Sequence, residues 1–155
     1  MFCRKNQKGF TLIELVLVMS LMGLFAYLAI PKDTALLPME LESATRKVAT
    51  DLRYAQDMAT TTGDSYGFQV TGLQTYQVYD VNTGVVATSP LTNSAMNENL
   101  SINFKNLTFQ STTYQVIFDS KGKPTTGGGL IMTLLQGGQM RQIEIMNTSG
   151  FVKLL

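Results

Sequence analysis

The chain has 155 residues, 45% of them hydrophobic, with 12 Lys and Arg against 11 Asp and Glu and a formal charge of +1. That length gives one small domain and a short additional element, and the near-neutral balance argues against a dedicated nucleic-acid binder, whose footprint is strongly basic. There is no histidine and only one cysteine, Cys3, so Ser-His-Asp and Cys-His catalysis are excluded, as is any disulfide within the chain.

Arg4, Lys5 and Lys8 open the sequence and are followed by a run that is apolar from Leu15 to Ile30, apart from Ser20. Extended back to Phe10 the run holds 21 residues, roughly 31 Å of helix, enough for a bilayer core of about 30 Å. Basic residues before it and Asp33 soon after it keep the N-terminus in the cytoplasm by the positive-inside rule. The run is longer than the apolar core of a secretory signal. No small-x-small cleavage site follows it either, since Ala29 leads into Ile-Pro-Lys-Asp. Tyr27, near the outer end, is read as an interface anchor. Gly23 lowers helix propensity by about 1 kcal/mol relative to Ala, and is read either as a point of local melting or close helix contact, or as a glycine that a membrane helix tolerates. Pro31 closes or kinks the helix, and Pro38 marks a second interruption.

From Met39 helical spacing returns. Leu41, Ala44, Val48, Leu52, Ala55 and Ala59 form one apolar stripe. Glu42 and Arg46 are an i,i+4 pair in the favourable order, and Gly63 suits the position after the helix. From Tyr66 the period changes to two. Strands are predicted at 66–71, 75–81, 85–88, 100–104, 114–118, 130–135, 141–146 and 151–154, with a mobile polar loop over 89–99. Turns fall at Gly72, 82–84, 119–124 and Gly137-Gly138, and 125–129 extends the 119–124 loop. One helix followed by strands on hairpin-length links predicts an α+β fold with antiparallel sheet.

Lys8-Gly9 followed by Phe10-Thr11-Leu12-Ile13-Glu14 resembles the processing site of type IV prepilins and type II secretion pseudopilins. Further on, Leu52–Ala59 before a strand, the Phe118-Asp-Ser-Lys-Gly122 turn and the final Ser-Gly-Phe-Val resemble the H-type minor pseudopilins and T-type minor pilins, the GspH/FimT family. The resemblance implies a long N-terminal helix packed on an antiparallel β-sandwich of two sheets. It also implies cleavage after Gly9 by a membrane-embedded aspartyl peptidase, which then methylates the new N-terminal Phe10. Residues 1–9 are then a leader, 10–30 a transmembrane and assembly helix, and 31–155 a periplasmic domain. Without the leader's three cations the charge becomes −2, from 9 basic and 11 acidic residues.

Glu14 is the one charge within the span, and an unpaired carboxylate there is costly. Cleavage creates an amine at Phe10, on the same helix face. Glu14 can meet that amine within one subunit, or it can meet a neighbour's across a filament, which the resemblance favours. It can also simply snorkel to the interface. The expected partners are other pilins or pseudopilins, the prepilin peptidase and methyltransferase, an inner-membrane assembly platform and membrane lipid. DNA is not expected, because residues 136–155 hold only Arg141 and Lys153 as cations; a DNA-binding minor pilin is nonetheless the alternative function. No cofactor or metal is expected. Asp80-Val-Asn-Thr-Gly84 lacks the acids of a calcium loop and reads as a turn. Thr125–Gly129 lacks the Gly-Lys-Ser/Thr of a phosphate loop and reads as flexible surface. Asp57 and Asp64 have no nucleophile to serve. The nine Met are read as core filling, apart from Met19 and Met22 in the span. The expected function is a structural subunit, without catalysis, of a secretion pseudopilus or type IV pilus.

Overall fold

A computed structural model describes residues 9–29, 37–90 and 92–155, and the chain divides into two units, Met1–Ala35 and Leu36–Leu155. In the first, Leu12–Ala29 forms helix α1. Thr11 caps it: the Glu14 amide donates to the Thr11 hydroxyl at 3.3 Å and to its carbonyl at 3.1 Å, satisfying one donor that a helix start leaves open. The Ser20 hydroxyl donates to the Val16 carbonyl at 2.8 Å, so this polar atom is satisfied within its own helix. The helix runs through Gly23 without a break. Among the described residues no helix is long and apolar enough to cross a membrane. The 18 residues of α1 give about 27 Å, and the 21-residue stretch read from the sequence ends at Ile30. That residue and Pro31 lie outside the described residues.

In the second unit, α2 spans Leu37–Thr62. It begins two residues earlier than the spacing predicts. Pro38 sits in its first turn, where the missing N–H removes a donor that would have no partner anyway, so the proline opens the helix instead of interrupting it. The six stripe residues from Leu41 to Ala59 are all fully buried. The Gly63 amide closes the end by donating to the Ala59 carbonyl at 3.1 Å.

Among the described residues nine strands follow: β1 Tyr66–Val70, β2 Thr75–Asp80, β3 Asn97–Asn99, β4 Leu107–Phe109, β5 Gln115–Phe118, β6 Pro124–Thr126, β7 Ile131–Gln136, β8 Gln139–Ile145 and β9 Val152–Leu154. They make a five-stranded sheet in the order β3-β2-β1-β5-β6 and a four-stranded sheet in the order β4-β7-β8-β9. Every pairing is antiparallel. Helix α2 packs on β1, β2 and β5 of the first sheet and on β7, β8 and β9 of the second. The core lies between them, with Phe68, Tyr76, Phe109, Phe118, Met132 and Ile143 among its largest side chains. The expected α+β architecture, a helix on two antiparallel sheets, is present.

Five segments depart from the sequence reading. Residues 100–104 are not a strand: Leu100–Ile102 is a 3₁₀ turn, because the Asn99 side chain accepts from the Ser101 amide and caps it. The polar stretch 89–99 is not wholly a loop, since Met96 is buried and Asn97–Asn99 pairs with β2. Residues 85–88 make only single bridges, Tyr79 with Val86 and Thr88 with Ala95. Leu107–Phe109, assigned to no element, is β4, and Pro124–Thr126 pairs with β5 where loop was expected.

Candidate assembly site

The N-terminal unit presents its residues outward. Every described side chain from Phe10 to Leu28 is exposed, including Phe10 at 80% and Tyr27 at 75%. A helix apolar around its whole circumference belongs in lipid or among other helices. Gly9 and Phe10 lie in non-helical chain just before the Thr11 cap. Glu14 stands in the first turn of α1, and among the described residues no cation meets its carboxylate. A carboxylate in the first turn is favoured by the positive end of the helix dipole. Gly23 has open space where a side chain would stand, so a second helix can approach there. Pro31, the other expected kink, lies outside the described residues.

The second unit holds its motif residues together through α2. Gln56 Nε2 donates to the Gly122 carbonyl at 2.7 Å and to the Ser149 carbonyl at 2.9 Å. One helix side chain thus ties down both the Asp119–Lys123 turn and the turn before β9. Gly150 completes the clamp. Its φ is +69°, and a Cβ there would stand 2.5 Å from the Gly122 carbonyl oxygen. The loosely similar downstream residues are therefore those that seat two turns on the helix.

Polar contacts anchor the same helix to the sheets. Asp51, at the margin of the expected stripe, is buried and accepts from the Tyr76 hydroxyl and from Lys47 Nζ at 3.0 Å. Lys47 also reaches Glu98 of β3 at 3.0 Å. Burial pushes the Tyr76 hydroxyl far up, and the Asp51 charge adds to it. For Lys47 burial is the largest single influence and lowers its pKa, but the bonds to Asp51 and Glu98 together outweigh it and hold the ammonium above its usual value. Nearer the helix start, Glu42 takes Arg46 at 2.8 Å and Arg141 at 3.3 Å. The hydrogen bonds from Arg141 and then Arg46 hold its carboxyl below the usual range. The sequence supports the Glu42–Arg46 pair, but nothing in it signals the Asp51–Tyr76 contact or the Gln56 clamp.

The other candidates resolve into local structure. Asp80 accepts from the Asn82 amide at 2.8 Å and from the Thr83 hydroxyl at 2.9 Å, an Asx turn. Asp64 accepts from Asn82. Among the described residues no group of three His, Cys, Asp or Glu side chains converges. Met96 and Met132 are buried, whereas Met39 and Met140 are exposed, so core filling accounts for only part of the methionine content. Arg141, one of two cations in the C-terminal stretch, is committed to Glu42.

Comparison with known proteins bears on both units. The prokaryotic N-terminal methylation motif matches residues 4–29, and the profile of the type II transport protein GspH family matches residues 44–150. The chain belongs to the GspH family. Solved structures share the fold. The type IV minor pilin FimU of Pseudomonas aeruginosa aligns with a TM-score of 0.58 at 18% identity, over 76% of this chain and 90% of that one. The minor pseudopilin EpsH from the type 2 secretion system of Vibrio cholerae aligns with a TM-score of 0.53 at 13% identity, over 75% of this chain and 96% of that one. At these identities the likeness is one of fold. No match was found among curated proteins. The GspH-family chain, with its N-terminal methylation motif, is thus a pilin-like structural subunit, not an enzyme.

Proposed function

We propose that this chain is inserted in the inner membrane through Phe10–Ile30, with its N-terminus cytoplasmic and residues 31–155 in the periplasm. It is then cleaved after Gly9, methylated on Phe10 and assembled through α1 into a pseudopilus or pilus. The observation that carries this reading is the exposed, all-round apolar α1, which begins at a capped Thr11 directly after Gly9-Phe10 and falls within the matched methylation motif. The peptidase, the assembly platform and lipid are the partners this sequence of events requires. Glu14 is the register contact: its carboxylate meets the processed N-terminus of an adjacent subunit, which neutralises a charge that would otherwise be costly in an apolar setting.

Expressing Glu14→Ala beside the natural sequence tests this reading. Insertion and cleavage should continue, because Gly9 and the apolar run are intact. Cross-linking to the other pilins should fall, because the register contact is gone. If the variant is processed and cross-links as the natural chain does, Glu14 only snorkels and the assembly role is wrong.

A further inference from the structure

The outer face of the five-stranded sheet is organised in a way that assembly through α1 does not use. The register places Asn97, Gln77, Gln69 and Gln115 side by side across β3, β2, β1 and β5. Their neighbours along each strand, such as Phe68 and Val70 or Tyr76 and Val78, are buried, so the amides point away from the core. Among the described residues the side chains of Asn97, Gln77 and Gln69 have no hydrogen-bond partner. Beside this row, Tyr79 lies across the strand opposite. A Cβ at Gly67 would stand 2.6 Å from the Tyr79 ring, so the ring rests where that side chain would be. Gln115 Nε2 donates to the Tyr79 hydroxyl at 2.8 Å and fixes the ring in place. Every outward position of these four strands is uncharged, in a chain that carries 23 charged residues.

We propose that this face binds a neutral polysaccharide lying across the strands. Adjacent strands are about 4.8 Å apart, close to the length of one pyranose ring, so a glycan running along the row meets a fresh amide at each sugar. Side-chain amides supply both donors and acceptors to hydroxyls. The immobilised Tyr79 ring supplies an apolar platform for a sugar's C–H face with little ordering left to lose. Nucleic acid would require cations that the face does not have, and an extended peptide adds to a sheet edge instead of a face.

The full chain, in a detergent without a sugar headgroup, is passed over cellulose and chitin beads and over a sulfated polysaccharide. The inference expects retention on cellulose or chitin that does not change between low and high salt, since no ion pair is involved. Retention should fall about tenfold or more in Gln69→Ala/Gln77→Ala, whose circular dichroism should match the natural chain because those amides hold nothing within the fold. Tyr79→Phe, which keeps the ring, should lose less than the double variant. Absence of retention on both neutral polymers, or equal retention of the double variant, overturns the proposal. So does preferential, salt-sensitive retention on the sulfated polymer. Self-association that Gln77→Lys abolishes, without polysaccharide binding, overturns it in favour of a contact between copies.

Discussion

Asp51 lies three residues after Val48 and one before Leu52, at the margin of the buried helix face, and periodicity alone assigns such a carboxylate to solvent. It is tolerated at that margin because the Tyr76 hydroxyl and Lys47 both donate to it. Breaking one member should therefore leave a buried charge under-satisfied. Tyr76→Phe should destabilise the second unit by about 1–3 kcal/mol. The same group sets an alkaline limit. Tyr76 and Lys47 both have folded pKa values raised above their ordinary values of 10.0 and 10.5. The stability they contribute is fully present below those ordinary values and is lost as pH rises through the folded ones. Denaturant melts should show stability falling above about pH 10, with a shallower slope in Tyr76→Phe. A slope unchanged by that substitution would separate Tyr76 from the effect. Gly150 is the other exacting position. Gly150→Ala should cost at least about 1 kcal/mol for its left-handed backbone alone, plus the displacement of the Gly122 carbonyl. A variant melting with the natural chain would show that the turn before β9 does not need the observed seat on Gln56.

At the scale of elements, legibility followed how much of the structure is written in apolar periodicity. The α2 stripe was readable because six small and aliphatic residues recur at steps of three and four, and all six are buried. The β1–β2 and β7–β8 hairpins were readable because alternation and turn residues agree. Elements held by backbone pairing or by caps were not. Strand β3 is Asn-Glu-Asn, with no apolar face to signal it; it is fixed by pairing to β2 and by Glu98 reaching Lys47. The alternation Leu-Ser-Ile-Asn-Phe imitates a strand, but the Asn99 cap turns it into a 3₁₀ segment. In the candidate site, the Gly9–Glu14 motif could be read directly, whereas the Gln56 clamp depends on two turns that only the fold brings to the helix. The element claim most open to test is the buried face of α2. Leu52→Asp in residues 32–155 should unfold that fragment, since it places an unpaired charge in the core. Unchanged circular dichroism in a soluble Leu52→Asp fragment would mean that the face is wrongly assigned.

At the scale of the whole molecule, the two units satisfy opposite requirements. The second buries its own apolar face between α2 and two sheets. The first leaves an apolar stretch uncovered from Phe10 to Leu28, with the Glu14 amide held by the Thr11 cap and the Ser20 hydroxyl held within the helix. Such a helix is suited to be covered first by lipid and then by the helices of neighbouring subunits. The proposed assembly depends on where the mature chain begins, because the amine proposed to neutralise Glu14 would exist only after cleavage. Intact mass of the protein purified from membranes of a host with its own prepilin peptidase tests that directly. The account predicts a chain lacking Met1–Gly9 and carrying one added methyl group on Phe10. A mature chain that keeps the leader, or that begins anywhere other than Phe10, would contradict it.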